Sequence, residues 1–104
     1  MTAAFDPPWI HQVPWPVYSG DNHVALLRGG DALFPAMQAA IEAAQREVWF
    51  ATYIFHDDHA GQAMMDTLVR AAQRGVEVKV VVDGFGSTRT VPVLQRRLAA
   101  GGVA

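Results

Sequence analysis

Two short apolar runs that enclose an amphipathic segment constrain this chain more than any other feature. The runs EVWFATYIF (47–55) and VEVKVVVD (76–83) are rich in β-branched and aromatic residues and lack helical spacing. Between them, apolar residues recur at spacings of three and four, which predicts a helix that ends at Gly75. A strand, a helix and a second strand in this order predict a parallel pair joined by a right-handed crossover. The helix residues are Met64, Met65, Leu68, Val69 and Ala72.

The flanking segments continue the alternation in both directions. HVALLRGG (23–30) predicts a further strand, and the side chain of Asp31 is suited to cap the helix that follows. The segment 91–100 predicts a third helix, which ends at Gly101. The predicted fold is therefore α/β, in the order β-α-β-α-β-α with a mainly parallel sheet. The apolar face of the first helix comprises Leu33, Phe34, Met37, Ala40, Ile41 and Ala44.

The last residues, AAGGVA, have the pattern of a helix end, a glycine stop and the start of another strand. A parallel sheet needs cover on both faces, and three helices cover three strands only thinly. We therefore expect residues 22–104 to form an incomplete α/β half-domain, and the chain to be a fragment. An exposed strand edge would then be available for self-association.

Residues 1–21 differ from the rest in containing four prolines among aromatic residues. This composition predicts an extended arm whose Trp9, Trp15 and Tyr18 fill surface grooves. The alternative is that the tryptophans enter a lipid interface, where amphipathic aromatic rings are favoured. The segment lacks the pattern of a signal peptide, and no apolar run approaches the roughly 20 residues of a membrane-spanning helix.

Composition excludes several kinds of site. The chain has no cysteine, which rules out disulfides, zinc–thiolate centres and thiol nucleophiles within it. The formal net charge is −2, and the basic residues are scattered rather than gathered into a stripe. Because nucleic-acid binding is largely electrostatic, no nucleic-acid partner is expected.

The motif HDDH (56–59) contains residue types that bind transition metals. Four consecutive side chains splay apart on a strand or loop, so they seldom converge on one ion, whereas zinc sites use wider spacings. The spacing favours another role, in which Asp57 or Asp58 caps the following helix while His56 and His59 face solvent. No metal site is expected here.

The loop DGFGS (83–87) follows a predicted strand, as phosphate-binding glycine loops do. It lacks the third glycine of the dinucleotide fingerprint, because Arg89 stands at that position. Its position is more informative, since open α/β sheets bind ligands at the carboxyl ends of their strands. The candidate site is this rim, with Tyr53, Asp83, Gly84 and Gly86, and a non-catalytic phosphate- or nucleotide-binding module is one function open to it.

From residue 22 to its end the chain resembles the N-terminal part of the phospholipase D superfamily, and within it the bacterial cardiolipin synthases. The most specific resembling stretches are LLRGGDALFPAM, TYIF followed by an aspartate and a glycine, and AAQRGVEVKVVVDGFGS. The resemblance implies a phospholipase D-like fold and phosphatidyl transfer between phospholipids of the phosphatidylglycerol type. It also implies a bacterial protein, cytoplasmic or peripheral to the inner membrane, that uses no metal or other cofactor.

Members of this superfamily carry the motif H-x-K-x-x-x-x-D twice, and the resemblance implies a phosphohistidine intermediate. This sequence contains no H-x-K, since its single lysine, Lys79, follows Glu77 at the motif spacing. No catalytic residue can therefore be assigned in this chain, which by itself is expected to be inactive. A phospholipase D-like phosphodiesterase or nuclease is a further alternative for the whole protein.

Overall fold

Three helices alternate with two strands in the computed structural model, which describes residues 15–104. The strands are parallel, with Glu47 opposite Glu77 and Thr52 opposite Val82. This confirms the predicted α/β class and the parallel pairing across the central helix. The elements are α1 (Gly29–Ala43), β1 (Glu47–Thr52), α2 (His59–Gln73), β2 (Glu77–Val82) and α3 (Val91–Ala100).

Helix α2 lies at the centre of the core. Its Met65, Leu68 and Ala71 are completely buried, and it contacts α1, α3 and β2. The helix ends where predicted, because Gly75 adopts a positive φ of 90° that other residues disfavour. The remaining core residues come from α1, α2, β2, α3 and the segments outside these elements: Ile41, Phe55, Met64, Val76, Val78, Leu94, Leu98 and Val103.

Within residues 15–104 the helices cover only one face of the two-stranded sheet. Val48, Phe50 and Val80 pack towards the core, whereas Trp49 and Val81 on the opposite face are 71% and 66% exposed. The outer edge of β1 has no strand beside it among the described residues. An exposed strand edge, as predicted, is therefore present in this part of the chain.

The last described residue extends the sheet beyond β2. The Ala104 N–H donates to the Val78 carbonyl at 3.0 Å, and the Val80 N–H donates to the Ala104 carbonyl at 2.8 Å. These two bonds are the pattern of a parallel bridge opposite Lys79. Residues 101–104 are not assigned as a strand, so the start of another strand in AAGGVA stays a prediction.

Two predictions at the amino-terminal side are wrong. Residues 22–28 form no regular secondary structure, and Gly29 and Gly30 already belong to α1. A strand is stable only when a neighbour satisfies its backbone groups, and no described strand lies beside this segment. Asp31 is not a cap either, because α1 begins two residues earlier and Asp31 lies within its first turn.

The aromatic residues of the arm do not pack as predicted where they are described. Trp15 and Tyr18 are 89% and 94% exposed, so neither fills a groove on the domain. The prediction for Trp9 lies outside the described residues. No helix in residues 15–104 has the length and apolar character needed to cross a membrane.

Candidate functional site at the carboxyl rim of the sheet

Two loops leave the same edge of the sheet because β1 and β2 run parallel. We define the rim as residues 53–58, which follow β1, together with residues 83–90, which follow β2. The Asp83 N–H donates to the Thr52 carbonyl at 3.3 Å, which joins the loops where they begin. Tyr53 and Asp83 line one shallow pocket at this edge.

Two buried hydroxyl groups fasten the loops to each other. The Phe55 N–H donates to Ser87 Oγ at 3.1 Å, and Ser87 Oγ donates to the Tyr53 carbonyl at 3.1 Å. Thr90 Oγ1 donates to the Phe55 carbonyl at 2.5 Å. Because Phe55, Ser87 and Thr90 are all buried, these bonds form away from water, where an unpaired polar group is costly. We call this set of bonds the rim network.

Asp83 shapes the second loop. Its Oδ1 accepts hydrogen bonds from the N–H groups of Phe85 and Gly86, both at 2.9 Å, and its carbonyl accepts from the Ser87 N–H at 2.9 Å. A phosphate-cradling loop would offer such amides to a ligand. Here three successive amides are already bonded within the loop, so these three are not free to bind a phosphate.

The two glycines of this loop have different surroundings. A Cβ atom on Gly86 would collide with the Tyr53 carbonyl and would lie 3.0 Å from its ring, whereas a Cβ on Gly84 would meet nothing within 4 Å. Gly84 lies instead at the end of an apolar groove between β2 and α3. The structure thus brings Tyr53, Asp83 and Gly86 together, and places Gly84 on the side towards α3.

The HDDH segment leads into α2, which begins at His59. Asp58 is its N-cap, and its Oδ1 accepts a hydrogen bond from the Gly61 N–H at 2.9 Å, which confirms the predicted capping role. His56, Asp57 and His59 are exposed. Within residues 15–104, no three His, Cys, Asp or Glu side chains are grouped as metal ligands would be.

Ser87 and Thr90 were not among the residues that the sequence singled out. The available signal was the hydroxyl-rich stretch GSTRT directly after a strand, which by itself also fits an ordinary solvated loop. Their partners are 32 to 35 positions away in sequence, so no local pattern identifies them.

Comparison with known proteins agrees with this architecture. Residues 37–101 match the family described as "Cardiolipin synthase, PLD-like domain". The chain is 37% identical over 82 residues to cardiolipin synthase B of Salmonella typhimurium and of Escherichia coli strain K12. It is 41% identical over 83 residues to cardiolipin synthase A of Pseudomonas putida. The chain belongs to the phospholipase D-like family of cardiolipin synthase domains.

These alignments cover most of this chain but little of the relatives. They include 79% of the chain against the Salmonella and Escherichia coli proteins and 80% against the Pseudomonas protein. The same alignments include 20%, 20% and 17% of those proteins. The chain therefore spans about a fifth of the length of the curated relatives it matches. No solved structure matches it.

The two loop glycines give a matched test of the rim geometry. Gly86→Ala should lower the free energy of unfolding by about 1–3 kcal/mol, because the new methyl group is forced against the Tyr53 backbone. Gly84→Ala is the control and should change it by less than about 0.5 kcal/mol. Urea unfolding followed by circular dichroism measures both, and equal effects would contradict the described packing.

The capping role of HDDH predicts that its histidines are dispensable for folding. The free energy of unfolding of the double variant His56→Ala/His59→Ala should lie within about 0.5 kcal/mol of that of the unchanged chain, because both side chains are exposed. The measurement is thermal unfolding with and without added Zn²⁺ or chelator. A metal-dependent stability that the double variant loses would show that the segment does bind a metal.

Proposed function

We propose that the complete gene product containing these 104 residues is a phosphatidyltransferase that forms cardiolipin from phospholipids of the phosphatidylglycerol type. The observation that carries the proposal is the family match over residues 37–101, together with relatives whose names are cardiolipin synthase A and B. Residues 15–104 supply part of the scaffold and one rim of the site.

The proposed chemistry proceeds in two transfers. A histidine nitrogen attacks the phosphorus of one phosphatidylglycerol, the bond from phosphorus to the glycerol headgroup oxygen breaks, and a second histidine protonates the departing glycerol. A hydroxyl of a second phosphatidylglycerol then attacks the phosphohistidine and gives its proton to the second histidine, which releases cardiolipin and restores both histidines. Such covalent catalysis divides one difficult step into two easier ones.

In this proposal residues 15–104 help to form the substrate site but do not take part in the chemical steps. The sequence contains no H-x-K-x-x-x-x-D, so the reacting histidines and lysines belong to other parts of the gene product. The rim is the edge at which α/β sheets bind their ligands, and the rim network holds its two loops in one arrangement. Tyr53, Asp83 and Gly86 are proposed to border the phospholipid headgroup there.

A non-catalytic nucleotide-binding module has less support. The amides of Phe85, Gly86 and Ser87 that would contact a phosphate are bonded to Asp83.

A phospholipid substrate lies in a bilayer, so we also propose that the gene product works at the surface of a bacterial inner membrane.

The activity is tested by incubating the complete gene product with vesicles of phosphatidylglycerol in the presence of a metal chelator. Cardiolipin and free glycerol should appear in equal amounts, because each transfer releases one glycerol. The 104-residue chain alone is the control and should form no cardiolipin.

Two results would contradict the proposal. Cardiolipin formation by the 104-residue chain alone would show that its residues do carry out the chemistry. Release of phosphatidic acid without cardiolipin, or cleavage of a nucleic acid, would assign the complete gene product to hydrolysis instead of transfer.

A further inference from the structure

A large aromatic side chain stands at the tip of the second rim loop. Phe85 is 88% exposed, although the residues that follow it in the loop include the buried Ser87 and Thr90. Exposure of a phenylalanine forgoes the stabilisation that its burial would provide. Contact of the ring with an apolar partner would recover that stabilisation.

The exposure is built into the loop rather than being the result of a loose segment. The Phe85 N–H donates to Asp83 Oδ1 at 2.9 Å. Thr88 Oγ1 approaches the Phe85 carbonyl at 2.9 Å and the Gly84 carbonyl at 2.6 Å. Hydrogen bonds to the backbone on both sides of Phe85 thus fix the main chain at the position that exposes the ring.

Other partly exposed apolar side chains also lie at the rim. The Tyr53 ring adjoins Gly86, and Tyr53 and Ile54 are 55% and 48% exposed. Ile54 in turn lines an apolar groove of about 320 Å³ together with Leu33 and Phe34, which are also partly exposed. Aromatic and aliphatic side chains from three segments therefore occupy one edge of the domain.

We propose that this edge is the surface that meets the lipid bilayer, with Phe85 inserted between the lipid headgroups. The inference rests on the proposed function, because an enzyme whose substrates are phospholipids must bring its site to a bilayer. Aromatic rings are favoured at such interfaces, and a rigid loop inserts one at little cost in conformational entropy. The exposed charged residues of the rim are three aspartates, Asp57, Asp58 and Asp83, and one arginine, Arg89. Because this charge does not attract anionic phospholipids, the proposed binding is apolar rather than ionic.

The test compares two residues of equal exposure in the complete gene product. Phe85→Ala should weaken sedimentation with phosphatidylcholine vesicles by about tenfold, because most of the inserted apolar surface is lost. Leu26→Ala is the control, since Leu26 is 90% exposed but lies in the segment before α1. Its substitution should leave vesicle binding unchanged, and raising the salt concentration should have little effect on either protein.

A second measurement distinguishes insertion of the Phe85 ring into the bilayer from burial of the ring by another part of the protein. In Phe85→Trp, vesicles containing brominated phosphatidylcholine should quench emission beyond that of the unsubstituted protein, and in Leu26→Trp they should not. The proposal is overturned if Phe85→Ala leaves vesicle binding unchanged. It is equally overturned if Phe85→Ala lowers the unfolding temperature by several degrees while tryptophan at position 85 is not quenched, because the ring then packs inside the protein.

Failure of this inference can be distinguished from failure of the proposed function. Vesicle binding is measured on phosphatidylcholine, which is not the proposed substrate, so the binding can be measured even if the protein makes no cardiolipin. Conversely, Phe85→Ala should retain cardiolipin formation from phosphatidylglycerol dispersed in detergent micelles. Activity in micelles with lost vesicle binding supports the inference, whereas equal loss in both assays contradicts it.

Discussion

The arrangement of the rim depends on two hydroxyl groups that reach from one loop to the backbone of the other. Ser87 and Thr90 bind the carbonyls of Tyr53 and Phe55, and Ser87 also accepts the Phe55 N–H. Without these bonds, buried backbone groups of the first loop would have no partner. The network therefore sets where Tyr53 and Phe85 lie relative to each other.

Helix α2 connects the rim to the core of the domain. Asp58 caps its first turn directly after the first rim loop, and Phe55 packs into the core with its ring centroid 5.8 Å from that of Phe50. Arg97 on α3 forms an ion pair with Asp66 of α2, so the helix that follows the second loop is also attached to α2. Both loops thus leave the same packed body, and neither is an independent appendage.

Other surfaces of the domain are not covered by the residues described. Trp49 stands open on one face of the sheet with the Lys79 amine 4.8 Å from its ring centroid, and an apolar groove lies between β2 and α3. The part of this chain that aligns covers only about a fifth of the length of the curated relatives.

The sequence was sufficient where the determining interactions are local. The spacing of Met64, Met65 and Leu68 predicted α2, and the HDDH motif before that helix predicted a cap from Asp57 or Asp58, which in the structure is Asp58. Residues 23–28 were mistaken for a strand because strand formation depends on a partner that composition does not reveal. The rim as a candidate site followed from parallel strand order, which is a topological argument.

The rim network itself could not be predicted, because hydroxyl-to-backbone bonds across more than thirty positions leave no periodic signal. The difference between Gly84 and Gly86 also could not be predicted from the sequence. Both occupy the same glycine loop in the sequence, and only the approach of Tyr53 separates them.

The most direct test of the account is amide hydrogen exchange in the variant Ser87→Ala, since the central claim is that the two loops form one unit. The account predicts that amides of residues 53–56 and 83–90 lose protection together, while those at the centre of α2 keep it. It also predicts a loss of about 1–3 kcal/mol in unfolding free energy, because the buried Phe55 N–H is left unpaired. Loss of protection confined to residues 83–90, with residues 53–56 unaffected, would contradict it.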